Sequence, residues 1–318
     1  MAKLSCDPYG REEGTGADPQ YSGRTLVLMR SPAAEAAFRD FAAITSRMIL
    51  AVDGGVDVDS LPYYPRFGIG VLPYSVNELS ELTDSHGVLK LERARILEQI
   101  RPAASYQMRV LKEAARLGVM PIGDPLYDMG VKANHDGANV RLAILDGGLD
   151  LDHRDFVNRP FSAASFAPDE SVAERIASSG HSTHCTGLAA GPLVPAHAER
   201  RYGVAGNAYL LVGKVKRTGG PIDDGDLVKA LNWAFSENAD VVVVPLGASA
   251  RANVETSSLI ETTARNGLLN GHLVVAAAGD ASSATTVQPV FHPANCRSIM
   301  AVGALDDLAS RPSFRAAR

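Results

Sequence analysis

Val140–Asp150, VRLAILDGGLD, decides how the chain is read. Val140–Leu145 is an apolar run too short for a helix and bounded by Asn139 and the Gly147-Gly148 pair. That pattern suits a strand buried on both faces. It ends on Asp146, at the carboxyl end of a strand, where open α/β sheets place their sites. Taken alone, Asp146 also fits an aspartate that caps a turn.

The same alternation continues outward from this strand. A helix is predicted to start at His181, a strand spans Tyr209–Val215, and Leu227, Ala230, Leu231 and Ala234 mark a helix face. Val241–Val244 is an all-valine strand, a helix covers roughly Ser257–Leu269, and strands follow at Leu273–Ala277 and Ile299–Val302. Continuous apolar strands separated by amphipathic helices predict a parallel sheet covered on both faces, an α/β fold of three layers. Upstream, Thr25–Met29, a helix period from Ala34 to Thr45, Phe67–Leu72, a short helix over Val76–Leu82 and Val88–Leu91 outline a small α/β domain. The expected organisation is a mobile tail over 1–23, the small domain over 24–98, a linker and lead-in over 99–130 with a helical stretch at Met108–Leu117, and the large domain over 131–318.

Composition narrows the function classes. The 318 residues are 46% apolar and 21% charged, with a formal charge of −5, so the chain has no overall basic character for nucleic acid. No window has the 18 or more uncharged apolar residues of a membrane span. Three widely spaced cysteines (Cys6, Cys185 and Cys296) suggest neither a disulfide framework nor a zinc module. The polar N-terminus lacks the apolar core of a secretory signal, so cytoplasmic residence is expected.

Two further segments carry candidate chemistry. In Gly180–Gly187, GHSTHCTG, His181 would open a helix; His181, His184 and Cys185 also raise a zinc alternative, but nothing at helix spacing completes a ligand set. Val274–Asp280, VVAAAGD, runs from a strand into a glycine turn and lacks the GxGxxG spacing of a dinucleotide fingerprint, which argues against an oxidoreductase.

The order of the segments is more telling than any one of them. VRLAILDGGLDLDHRDF (Val140–Phe156) resembles the aspartate block of the subtilisin-like serine proteases, and GHSTHCTGLAAG (Gly180–Gly191) resembles their histidine block. GVAGNAYLLVGKV, DLVKALNWAFSENADVVVVPLGA, GHLVVAAAGD, HPANCRSIMAVGA and RPSF follow in the family's own order. The resemblance covers Val131–Phe314. It implies Asp146 as the acid that orients the histidine and His181 as general base. It also implies Leu246, Gly247, Ala276, Ala277, Ala278 and Gly279 as substrate-binding positions. Residues 24–98, with SVNELSELTDSHGVLKLER, resemble the family's inhibitory propeptide, whose tail would occupy the groove. Polypeptide or extended peptide is the implied partner. Calcium, common in the family, is implied without an identifiable ligand set, and Cys185 matches a packing thiol beside the histidine.

The sequence also departs from the family. No Gly-Thr-Ser-Met-Ala segment occurs in these residues, which stop at Arg318, four residues after Phe314. The expectation is therefore a peptidase domain incomplete at its C-terminus, inactive as this chain, with an apolar face for another chain to cover. The alternative is a pseudoprotease that binds peptides or a partner. Asp280 stands where the family usually has the asparagine that donates to the oxyanion, and a carboxylate cannot donate. Pro245 replaces a serine beside the groove, and Ser182 replaces a glycine after the histidine.

Overall fold

The computed structural model describes residues 20–50, 56–75, 86–100, 136–167, 169–173, 180–195, 202–217, 222–249, 256–282, 286–303 and 316–317. The expected helices at Val76–Leu82 and Met108–Leu117 lie outside them.

The N-terminal unit comprises β1 (Tyr21–Met29), α1 (Glu35–Leu50), β2 (Tyr63–Tyr64), β3 (Ile69–Leu72) and β4 (Val88–Gln99). β1 pairs antiparallel with both β3 and β4, and β2 pairs with β3. Alternation along β1 decides what each face meets. Val27 and Met29 join Phe38, Phe41 and Leu72 beneath α1, whereas Leu26 and Leu28 join the core of the larger unit. Strands β1 and β4 both run further than their apolar runs predicted. β1 begins at Tyr21, inside the expected tail, and β4 continues to Gln99, into the expected linker, because these extensions pair with other strands, with only Ala94 and Leu97 of the β4 extension joining the core.

The larger unit holds β5 (Arg141–Asp146), β6 (Phe161–Ser165), α2 (His181–Ala190), β7 (Tyr209–Lys214), β8 (Ile222–Asp223), α3 (Asp224–Ser236), β9 (Val241–Val244), β10 (Leu246–Gly247), α4 (Ser258–Leu269), β11 (Leu273–Ala277), β12 (Gln288–Pro289), β13 (Ile299–Val302) and β14 (Ala316–Ala317). Its main sheet has the order β13-β11-β9-β5-β7-β6, and every pairing is parallel. Ala143, Leu145, Leu211, Val242, Val244 and Val274 point toward α3 and α4. Leu142, Ile144, Leu210 and Val212 point the other way, toward Ala190 of α2. The result is the predicted three-layer α/β arrangement.

α3 starts on a capping box, with the Asp223 side chain accepting from Gly225 N and Asp226 N while Asp226 reaches back to Asp223 N. α4 starts on Ser257, whose hydroxyl accepts from Ile260 N at 3.1 Å. The N-terminal sheet rests on these two helices. Phe67 meets Phe235 of α3 edge-on at 6.1 Å, and Glu92 of β4 accepts from Ser258 N at 2.8 Å and from Ser257 Oγ at 2.6 Å. A carboxylate at a helix N-terminus also complements the dipole. Arg24 bridges Asp223 at 2.9 Å and Asp226 at 3.0 Å.

Candidate active site

Asp146 is the last residue of β5 and fully buried. The chain then turns through Gly148 at φ +105°, a conformation that favours glycine. His181 opens α2 after Gly180, which is left-handed at φ +61°. Two bonds tie the start of α2 to the turn after β5: Thr183 Oγ1 accepts from Asp150 N at 2.8 Å, and the Ser182 hydroxyl donates to the Gly148 carbonyl. Ser182, which looked from the sequence like an added side chain beside the histidine, is therefore buried and serves as a fastener.

These ties bring together residues 35 apart in sequence, with His181 Nδ1 lying 2.6 Å from Asp146 Oδ2. His181 Nε2 faces the Ile100 carbonyl oxygen at 3.1 Å. Both ring nitrogens thus meet acceptors, which suits the imidazolium. Burial disfavours that charge, but the Asp146 hydrogen bond and the neighbouring Cys185 thiol outweigh it, and the pKa rises to about 10. Cys185 Sγ lies 3.8 Å from Nε2, one helical turn along.

Ile100 arrives on an added strand. Beyond the β1 pairing, β4 runs antiparallel to β10, with Gln99 opposite Leu246 and Glu98 opposite Gly247. β8 flanks the same strand through Ile96 and Leu97. Ile100 N donates to the Pro245 carbonyl at 3.3 Å. The proline's missing N–H takes no part in that bond, so the change from serine leaves this contact available. Leu246 and Gly247 thus hold an extended segment. A Cβ on Gly247 would come within 2.8 Å of Ile100 Cδ1, so the glycine permits the close approach.

A cleft of about 370 Å³ opens beside this strand, and Gly247, Asp280, Phe291 and His292 line it together with Ile100. Ala276, Ala277 and Ala278 are not among its lining residues; Gly279, at φ +108°, packs against the Phe291 ring. On the far side, His292 Nε2 lies 2.6 Å from Asp224 Oδ1, and Asp224 Oδ2 accepts from Arg95 N at 3.1 Å. Sequence reasoning missed Gln99, Ile100, Lys216, Asp224 and His292. His292 opens the HPANCRSIMAVGA segment but bears no mark of a role there, the other four lie outside the quoted motifs, and only the tertiary pairing of β4 brings Gln99 and Ile100 to the site.

Among the described residues, Asp146, His181 and Cys185 form a group whose donor atoms lie within 4.8 Å of one another. His184, from the zinc alternative, is outside it and exposed. One carboxylate, one imidazole and one thiol do not suit calcium, which takes six to eight oxygen ligands. No helix among the described residues is long and apolar enough to cross a membrane.

A buried aspartate at a strand end, bonded to a histidine that opens the next helix, has the arrangement that serine hydrolases use as an acid–base pair. Comparison with known proteins shows the family. The profile of the subtilase family matches residues 137–316. Subtilisin E of Bacillus subtilis (strain 168) is 29% identical over 239 residues, covering 75% of this chain and 56% of that protein. Subtilisin DY of Bacillus licheniformis is 30% identical over 197 residues, covering 61% of this chain and 68% of that protein. The major intracellular serine protease of Bacillus subtilis (strain 168) is 31% identical over 196 residues, covering 59% and 57%. The chain belongs to the subtilase family, and it spans little more than half the length of subtilisin E.

Proposed function

We propose that this chain carries the Asp–His half of a peptide-bond hydrolase, held shut by its own N-terminal unit. The observation that carries the reading is the path of β4. Its end adds a strand to β10 and sets the Ile100 carbonyl against His181 Nε2, where the carbonyl of a peptide about to be cut would lie. Residues 24–98 then act as an inhibitor-type domain and residues 131–318 as the peptidase domain, with polypeptide as substrate.

In the working reaction a serine hydroxyl attacks the peptide carbonyl, and neutral His181 accepts its proton. Asp146 holds the ring's tautomer and stabilises the imidazolium that forms, which gives the proton to the departing amine as the peptide C–N bond breaks; water, deprotonated by the same ring, then hydrolyses the acyl-enzyme and frees the serine. With the tail in place the ring already carries its second proton, so it cannot act as a base. Residues 1–318 contain no Gly-Thr-Ser-Met-Ala segment, so a polypeptide of these residues alone is expected to leave peptides, and the link between its own two units, uncut. Met300 and Val302 of β13 are about half exposed, at 51% and 48%. We read this edge as the contact for a further polypeptide segment.

Asp280 favours a second reading. A carboxylate in the cleft withholds the donor that an oxyanion needs, which suits a pseudoprotease that binds extended peptides by strand addition. Fluorophosphonate labelling followed by intact mass separates the two. A peptidase stays unlabelled as residues 1–318, gains one label when a serine-bearing segment is fused after Arg318, and loses it on His181→Ala. A well-folded fusion that never labels refutes catalysis and leaves the binding reading.

A further inference from the structure

The side chain of Gln99 is the most specifically held feature of the tail. Its Nε2 donates to Asp146 Oδ1 at 2.7 Å, the carboxylate oxygen that His181 does not use. Its Oε1 accepts from Lys216 Nζ at 3.1 Å. Lys216 is itself fixed to the site, since its backbone N–H donates to the Asp146 carbonyl at 3.0 Å. One carboxamide therefore spans an acceptor and a donor that are held together by a single backbone contact.

Lys216 can only donate and the Asp146 carboxylate can only accept. A glutamate in place of Gln99 would satisfy Lys216 and set one carboxylate against another. A lysine would satisfy Asp146 and set one ammonium against another. An apolar side chain would bury both polar groups without partners. A carboxamide at the end of a glutamine stem offers oxygen to one and N–H to the other from two separate atoms, in the orientation seen.

The geometry points to a carboxamide-reading subsite, formed by Lys216 Nζ and Asp146 Oδ1, that selects glutamine immediately before the residue whose carbonyl meets His181. This deepens the peptidase reading and rests on β4's end being the occupant of the peptide groove. Because Asp146 is both a wall of the subsite and the histidine's partner, a glutamine seated there also orients the carboxylate. The same preference then applies to a polypeptide that replaces the tail.

The test is hydrogen–deuterium exchange of residues 97–100 in the full chain, comparing the wild type with Gln99→Met, Gln99→Glu and Lys216→Met, each checked for unchanged melting of the rest of the molecule. The wild-type segment should be protected. Gln99→Met and Lys216→Met should each speed its exchange by about tenfold or more, the loss expected for hydrogen bonds to charged groups, and Gln99→Glu should do so at least as strongly. A protected wild type with Gln99→Met exchanging at the same rate overturns the subsite and leaves the groove reading standing. An unprotected wild-type segment overturns the groove reading and the subsite with it.

Discussion

Replacing Arg24 with methionine removes the guanidinium that joins β1 to the start of α3 while keeping most of the apolar stem. Arg24 Nη1 bonds Asp223 Oδ1 at 2.9 Å and Asp226 Oδ1 at 3.0 Å, and the Asp223 side chain is only 2% exposed. Breaking a buried pair from one side costs about 3–5 kcal/mol because the remaining charge is left uncompensated. Asp223 keeps the Ser22 hydroxyl at 2.5 Å and the N–H groups of Gly225 and Asp226. The low end, about 3 kcal/mol, is therefore expected, roughly a 150-fold change in equilibrium constant. Trp233, the single tryptophan, lies on α3, so its fluorescence in a urea titration follows the affected helix directly. The deficit should also depend on pH. Burial raises the Asp223 pKa to about 6 even against the opposing pull of Arg24, and losing the cation raises it further. A carboxyl that binds its proton more tightly when folded gains stability as pH falls through that range, so the deficit at pH 8 should shrink near pH 5. Arg24→Met/Asp223→Asn should recover part of the loss at pH 8. A single variant within about 0.5 kcal/mol of wild type at pH 8, the ordinary range for surface changes, would refute the argument from a desolvated charge.

Three further outcomes can be checked. Gly70→Ala puts a Cβ 2.1 Å from the ring of the fully buried Phe38, so the N-terminal unit should lose about 1–3 kcal/mol in a denaturant melt, as overpacked cores do. The folded pKa of His181 is raised from 6.5 to about 10; its contribution to stability is fully present below pH 6.5 and disappears as pH rises through 10. Differential scanning fluorimetry across that window should show a decline that His181→Gln flattens. Gly247→Ala places a methyl 2.8 Å from Ile100 Cδ1 and 2.9 Å from the His292 carbonyl, so it should unseat the tail, and tryptic release of the N-terminal unit should become faster.

The main sheet was readable because its chemistry is local. Val241–Val244, Leu273–Ala277 and Ile299–Val302 form the strands their apolar runs predicted, since a short run of consecutive apolar residues marks a strand of a covered parallel sheet directly in composition. Asp146 and His181 were readable because a strand end and a helix start both leave marks in the sequence. β6, Phe161–Ser165, was missed: it reads FSAAS, and its edge position demands little apolar surface. The tail's place in the groove was expected from the family resemblance alone, and its individual contacts were missed for a different reason. Arg93, Arg95, Glu98 and Gln99 look like a solvated stretch, yet Arg95 N meets Asp224, Gln99 meets Asp146 and Ile100 meets His181. Each of those partners is more than 40 residues away in sequence, so no local pattern announces it. Glu92 was unreadable for the same reason, since its acceptors serve Ser257 and Ser258 at the start of α4.

β4 is one uninterrupted strand with two employers. Its pairing with β1 extends to Arg95, and its pairing with β10 starts at Glu98. With almost no slack between them, the tail meets its groove at an effective concentration of about millimolar or higher, as short tethers give. Intrinsic affinity can then be weak while occupancy stays near complete, and a free peptide competes against that local concentration rather than against a dissociation constant. A single cut after Ile100 would change the regime while leaving the pairings of β4 with β1, β8 and β10 in place. The N-terminal unit with its tail would become an ordinary ligand that leaves on dilution, so the chain's continuity acts as the lock and its scission as a one-way key.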